Sequence, residues 1–300
     1  MSTLEEQYAP GGALVAEHAS DVPARRLPRI SVIVASLDAG ALIDRCRRSI
    51  AENDYPCVEV IVADGGSKDG TIDSLRASRE RMGGMLTWAS EPDSGIADAW
   101  NKAVAKATGD WILFLGADDT ISTPTVFTRM ARYLDQAPLT HRVVYGQVAL
   151  VDHRGDILRL MDRPWSPREF RSCRYNLPHG AVFHHRSLFE EYGPFDASLK
   201  IVADFDFLLR HLMTAEPLYV PRLTVSNMAV GGASTATLQA PAGVREQIRL
   251  YRRHVGGMSL ILTGALVKAW IKIALYRLGG DSLVFRIGQA YRLLTLRGQT

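Results

Sequence analysis

Between residues 30 and 115 short apolar runs alternate with stretches of helical periodicity, and no other feature restricts the possible folds of this chain so strongly. Ile30-Ser-Val-Ile-Val-Ala35 is a β-branched run bounded by Pro28 and by the polar Ser36-Leu-Asp-Ala-Gly40, the pattern of a strand covered on both faces. Leu42, Ile43, Cys46 and Ile50 then recur at helical spacing, with Arg45, Arg47 and Arg48 between them. Val58-Glu-Val-Ile-Val-Ala63 repeats the strand, Asp64-Gly-Gly-Ser-Lys-Asp-Gly-Thr71 makes a glycine-rich loop, and 72–82 suits a helix. A strand over 85–89, a helix over 95–107 and a strand over 111–115 complete the series. The alternation predicts an α/β fold, a parallel sheet with helices on both faces whose ligands sit beyond the carboxyl ends of the strands.

Acidic residues gather at that predicted edge. Ser36 and Asp38, then Asp64, then Asp93, then Asp118 and Asp119 all follow a predicted strand directly or lie in the loop after one. The last pair poses the sharpest question, because Phe114-Leu-Gly-Ala-Asp-Asp-Thr120 runs from apolar residues straight into two adjacent carboxylates. Like charges repel and a carboxylate leaving a core needs a partner, so the pair suggests a cation or a polar ligand. Asp-Asp-Thr is also a good turn and helix N-cap sequence.

The glycine-rich loop is neither a Walker loop, which needs Gly-Lys-Ser/Thr, nor the dinucleotide Gly-x-Gly-x-x-Gly, and the first strand turn lacks both patterns too. These absences argue against a P-loop NTPase and an NAD enzyme. A carboxylate at Asp64 can instead accept hydrogen bonds from a base N–H or a ribose hydroxyl, although the same residues also make an ordinary turn.

From about residue 142 the clean alternation is lost. Val143–Val151 and Ala181–Phe183 read as strands and Asp204–Met213 as a helix, while the Pro, His and aromatic residues of 163–185 suit a lid or pocket wall. Three cysteines, Cys46, Cys57 and Cys173, are widely spaced and form no metal-binding cluster, which fits a reducing cytoplasm. Residues 1–28 open with acidic residues, lack the basic-then-apolar order of a signal peptide, and are expected to form a flexible leader.

The net charge of +3 is unevenly spread: from Arg245 to Thr300 ten Lys/Arg face only Glu246 and Asp281. Bulky aliphatic residues are interleaved with those charges, as in a helix lying on an anionic membrane surface. A helix packed on the domain and a homo-oligomer contact are the alternatives. A polar basic stripe for nucleic acid is not present, so no nucleic-acid partner is expected.

Four segments carry a resemblance to a known family. VIVASLDAG, VEVIVADGGSKDGT, SEPDSGIADAWNKAVAKATGDWILFLGADD and HGAVFHHRSLFEEYGPFDASLKIVADFDFLLR follow one another as in glycosyltransferase family 2, covering roughly 30–232. The resemblance implies a GT-A fold, with a mostly parallel Rossmann-like sheet over 29–240 and a basic helical extension over 241–300. It also implies transfer of a sugar, with inversion, from a nucleotide diphosphate-sugar, a UDP-sugar being the expected donor. The expected acceptor is a lipid-linked saccharide, glycolipid or polysaccharide, and the expected location is cytoplasmic, peripheral at the membrane face.

By the same resemblance Ser36 and Asp64 would line the nucleoside pocket. Asp93, Gly95, Asp98, Asn101 and Lys102 would shape the donor site, with Lys102 toward the diphosphate. Gly116-Ala117-Asp118 stands where the family has its Asp-x-Asp metal motif, so Asp118 with Asp119 would hold Mg²⁺ or Mn²⁺ and Ala117 would lie against the donor. Gly116 replaces the first acid of that motif, which leaves one protein carboxylate and its neighbour for the metal. Asp204 matches the catalytic base, although Ala203 precedes it where the family often has Glu. Asp206 is the substitute base if the register differs, His179 matches a polar position on the acceptor side, and Gly231-Gly-Ala-Ser234 resembles a closing segment. A sugar-phosphate nucleotidyltransferase and a non-catalytic nucleotide-sugar binding module stay open as alternatives.

Overall fold

The computed structural model describes residues 27–137, 141–173, 175–230, 240–257, 259–271, 273–275 and 277–278. The expected leader, apart from Leu27 and Pro28, and Gly231-Gly-Ala-Ser234 lie outside them.

The first half follows the predicted alternation: β1 (Ile30–Ser36), α1 (Gly40–Ala51), β2 (Val58–Asp64), α2 (Thr71–Met82), β3 (Leu86–Ser90), α3 (Ile96–Val104) and β4 (Trp111–Gly116). β1 pairs in parallel with both β2 and β4, and β2 with β3. Val32 and Val34 enter one core with Ile43 of α1 and Leu75 of α2, while Ile33 enters the other with Ala97 and Ala103 of α3. Both faces are buried, which is why these strands read as unbroken apolar runs. The register sets Ser36 opposite Asp64, Asp64 opposite Ser90, and Ala35 opposite Gly116, so four strand ends share one edge.

The second half adds antiparallel pairings to the mostly parallel sheet that was expected. It comprises β5 (Thr120–Ile121), α4 (Val126–Leu134), β6 (Val143–Val151), β7 (Ile157–Met161), α5 (Pro167–Arg171), β8 (Val182–His185), α6 (Ser187–Tyr192), α7 (Ala203–Leu212), β9 (Leu218–Ala229) and α8 (Ala240–His254). Strand order is β3-β2-β1-β4-β8-β6-β9-β5, with β7 on β6; β8 runs antiparallel to β4 and β6, and β6 runs parallel to β9. β8 enters after a long excursion through β6, β7 and α5, so no strand–helix–strand crossover forces it parallel to β4.

α8 packs on α7 and reaches under its entry: the Glu246 carboxylate accepts the backbone N–H groups of Lys200, Ile201 and Val202 at 3.0, 2.9 and 3.2 Å. Three donors at a helix start are thereby satisfied by a side chain from another helix. A further helix, α9, runs over 260–271 and buries Leu262 and Ala269, and Ile273 is buried beyond it. No helix among the described residues is long and apolar enough to cross a membrane.

Candidate active site

Asp64 ends β2 and its carboxylate is surrounded by donors. Ser36 Oγ donates to Oδ1 at 3.0 Å, the Gly66 and Ser67 N–H groups to Oδ2 at 3.0 and 2.9 Å, and Ser90 Oγ to Oδ2 at 2.6 Å. Burial alone would raise its pKa, but the bonds from Ser67 and Ser90 outweigh it and hold the carboxyl below the usual range. Asp64 therefore ties three strand ends and its own loop together, and Ser36 is spent on it. Asp38, at φ +47°, accepts Lys68 N–H at 2.9 Å and so zips the first loop to the second. Leu37 stands 63% exposed at the mouth of these loops.

The segment 91–102 folds over this frame. A Cβ at Gly65 would stand 2.6 Å from Asp93 Oδ2, so glycine lets the two loops touch, and Asp64, Asp93 and Lys102 line one crevice. Asp93 accepts the Gly95 N–H at 2.8 Å and Asp98 the Ser94 N–H at 2.9 Å. Gly95 sits at φ +129°, where a Cβ would meet Lys200 Nζ at 3.4 Å. Lys102 Nζ donates to Pro92 O at 2.8 Å and lies 3.7 Å from Asp98 and 3.8 Å from Glu91. Asn101 turns away from the crevice. Its amide clamps Phe195, donating to the carbonyl at 3.0 Å and accepting the N–H at 2.9 Å, so it positions the Gly193–Asp196 loop instead of lining the donor site as expected.

At the end of β4 the paired acids fold back over the strand. A Cβ at Gly116 would lie 2.8 Å from both Asp118 Oδ1 and Asp119 Oδ2, which gives a physical reason for glycine where the motif has an acid. Asp119 accepts Ala229 N–H at 3.1 Å and Gly116 N–H at 3.2 Å, yet burial and the charge of Asp118 push its pKa up to about 6. Ala117 packs against the adjoining core, and Arg45 donates to the Asp118 carbonyl at 3.1 Å. Asp118 is half-buried. Among the described residues no group of three acid, His or Cys side chains could hold a metal alone.

Behind β4, His179 stacks on Phe114 with ring centroids 5.1 Å apart and leans on Trp100 at 4.8 Å. Burial takes its pKa down to about 3, so it is a neutral packing group, and the acceptor-side role expected for it has no support in this geometry. Three residues earlier, Asn176 Nδ2 donates to Asp204 Oδ2 at 2.9 Å, which joins this segment to the first turn of α7. Burial pushes Asp204 up to about 6, with the Phe205 N–H and Asn176 bonds offsetting only part of it.

Asp206 is fully buried and paired: Arg210 Nε donates at 3.0 Å, Arg253 at 3.2 Å, and His254 Nε2 lies 3.0 Å away. Burial alone would raise it, but the His254 and Arg210 bonds hold it below the usual carboxylate range. A carboxylate so engaged is not free to take a proton from a substrate, which corrects its place as substitute base.

Sequence reasoning missed several residues that build the site. Ser67 and Ser90 hold Asp64, Asn176 holds Asp204, and Lys200 donates to the Ser94 and Ala197 carbonyls and so ties the 91–95 loop to the approach of α7. The strand-end position of Ser90 and the place of Ser67 three residues after Asp64 were the available signals; Asn176 and Lys200 act through contacts distant in sequence.

Residues 31–190 match the family model described as glycosyl transferase family 2. A PGL/p-HBAD biosynthesis glycosyltransferase of Mycobacterium bovis is 32% identical over 260 residues, covering 81% of this chain and 97% of the relative. An uncharacterized glycosyltransferase of Mycobacterium tuberculosis is 31% identical over 236 residues, covering 77% of this chain and 87% of its own length. Among solved structures, residues 1–349 of S. aureus TarS in complex with UDP-GlcNAc match with a TM-score of 0.61 at 19% identity, over 85% of this chain and 75% of that one. The mannosyltransferase PcManGT from Pyrobaculum calidifontis, in complex with GDP-Man and Mn²⁺, matches with a TM-score of 0.60 at 21% identity, over 90% and 81%. At these identities the structural likeness is one of fold.

Proposed function

The chain belongs to glycosyltransferase family 2, and from that premise we propose that it moves a sugar, with inversion at the anomeric carbon, from a nucleotide diphosphate-sugar to a hydroxyl of a lipid-linked saccharide, glycolipid or polysaccharide. Family membership sets aside the nucleotidyltransferase and binding-module alternatives. The observation that carries the mechanism is Asp204, a carboxylate in the first turn of α7 whose pKa of about 6 suits a base near neutral pH. Its carboxylate takes the proton of the acceptor hydroxyl, whose oxygen attacks the anomeric carbon opposite the departing nucleoside diphosphate.

The donor lies along the shared strand edge in this reading. The frame centred on Asp64 shapes the nucleoside pocket, with exposed Leu37 offering an apolar surface to the base, and Asp93, Gly95 and Lys102 form the wall toward the diphosphate. UDP is the nucleotide we favour, supported by the UDP-GlcNAc complex of one structural neighbour. A divalent cation fits at Asp118 and Asp119, where the crowding of the two carboxylates and the raised Asp119 are what a cation would relieve. Such an ion, Mg²⁺ or Mn²⁺, would take its other ligands from phosphate oxygens and water and would neutralise charge on the leaving group.

The outer face of α9 supports a membrane-side acceptor. Leu260, Val267 and Ile271 are 82%, 55% and 54% exposed and fall on one helical stripe, with Lys268 beside them. We assign this stripe to an anionic membrane surface on the cytoplasmic side.

A thermal-shift panel of nucleotide sugars, with and without Mn²⁺, tests the donor reading. A UDP-sugar should stabilise the protein most, Mn²⁺ should enlarge the shift, and Asp118→Asn should abolish that enlargement. An unchanged Mn²⁺ effect in Asp118→Asn contradicts the metal assignment.

A further inference from the structure

Asn176 lies between the His179 segment and α7, on a stretch fixed at both sides: Leu177 is 2% exposed, and Tyr175 donates to the Arg163 carbonyl at 3.2 Å with the Arg163 guanidinium 4.5 Å above its ring. An ionised carboxylate only accepts hydrogen bonds, so the amide has to present Nδ2 to Asp204, and it does so at 2.9 Å. The other end is left over. Asn176 Oδ1 is buried without a hydrogen-bond partner among the described residues. A buried unpaired acceptor is costly, and a fold that keeps one has a use for the donor on the same amide.

We propose that Asn176 is a positioning residue for the transfer reaction: its Nδ2–H grips Asp204 Oδ2, fixes the plane of the carboxylate, and leaves Oδ1 of Asp204 to receive the acceptor proton. This rests on Asp204 being the base. The same N–H favours the ionised form and so offsets part of the burial at Asp204. The neighbouring charges act elsewhere: Asp206 is paired with Arg210, Arg253 and His254, and Glu246 with the backbone of 200–202.

Selective ¹³C labelling of aspartate carboxyl groups in the full chain allows the Asp204 titration to be followed by NMR, with the signal assigned by its loss in Asp204→Asn. Asn176→Leu keeps the side-chain volume and removes both amide ends. Its Asp204 midpoint should rise from about 6 by on the order of one pH unit. Asn176→Asp, which sets a second carboxylate against the first, should raise it at least as far and serves if the leucine variant does not fold. Release of nucleoside diphosphate from UDP-glucose, UDP-N-acetylglucosamine or GDP-mannose, with water as acceptor, reads the chemistry. At a pH well above both midpoints, turnover in Asn176→Leu should fall roughly tenfold to a hundredfold from misorientation alone, with donor KM changing far less. An unmoved midpoint, or full turnover at that pH, overturns the proposal. Wild-type turnover in Asp204→Asn overturns the base assignment itself and the proposal with it.

Discussion

Asp204 and Asp206 share the first turn of α7 and, two residues apart on a helix, point to different sides. Asp206 turns toward α8 and is met by Arg210, Arg253 and His254, so its charge is matched and its pKa held down. Asp204 turns toward the 176–179 segment, meets the Asn176 amide and the Phe205 N–H but no cation among the described residues, and is pushed up to about 6. The same residue type in the same turn is a charge-matched strut in one direction and, in the other, a carboxylate held near 6 that we propose as the base. What separates them is how completely the surroundings compensate the buried charge.

The largest effect expected is on turnover. Asp204→Asn should lower it by about a hundredfold to ten-thousandfold, with the nucleotide-induced thermal shift retained, whereas Asp206→Asn should keep its activity per folded molecule. Equal losses in steady-state assays of the two variants break the comparison.

Stability should respond the other way round. Asp206→Ala leaves cationic groups of two helices facing a vacated buried site, and the unfolding free energy should drop by about 2–4 kcal/mol, discounted because the Arg253 side chain is 54% exposed. Denaturant titration checks this, and a loss below about 1 kcal/mol contradicts the role of Asp206 as a strut between the two helices.

The pH dependence sharpens the contrast by its sign. Between the ordinary carboxyl pKa of 3.8 and about 6, folded Asp204 holds a proton that the unfolded chain has released, so its contribution to stability falls as pH rises through that window. Asp204→Asn should therefore be more stable than wild type near neutral pH, by about 2 kcal/mol, and gain nothing at acid pH. Asp206 is depressed, so its contribution is present above the unfolded pKa and lost as pH falls through its folded value. Chemical melts of the two variants across pH should diverge in opposite directions, and parallel curves refute the assignment.

The smallest effect concerns the donor loop. Asn101→Ala removes the clamp on Phe195 and should cost about 1 kcal/mol, with donor affinity measured by calorimetry unchanged. A large loss of donor affinity would put Asn101 back in the nucleotide site.

How far the sequence could be read depended on where each signal lived. β1 to β4 were legible because strands covered on both faces leave continuous apolar runs, and the acids at their ends are marked by position alone. β7 was not: Ile157, Leu158 and Leu160 are exposed on an edge strand, so no buried face imposes alternation. β9 was hidden by Pro221 and by Arg222 at φ +57°, where its pairing with β6 shifts register. At the site, the sequence marked where carboxylates gather but not which were already spent. Asp64 looks as available as Asp204 until Ser36, Ser67 and Ser90 are seen around it. Asn176 and Glu246 escaped notice because each acts on a partner 28 or more residues away, where no local pattern records the contact.

Everything proposed for Asp204 depends on a single displacement at the anomeric carbon, assisted by one base opposite the leaving diphosphate. Its most direct test is the configuration of the first-formed sugar released from a nucleotide-sugar donor, followed by ¹H NMR before mutarotation. The anomer opposite to that of the donor should form first, and a first-formed product that retains the donor configuration rules out the single displacement.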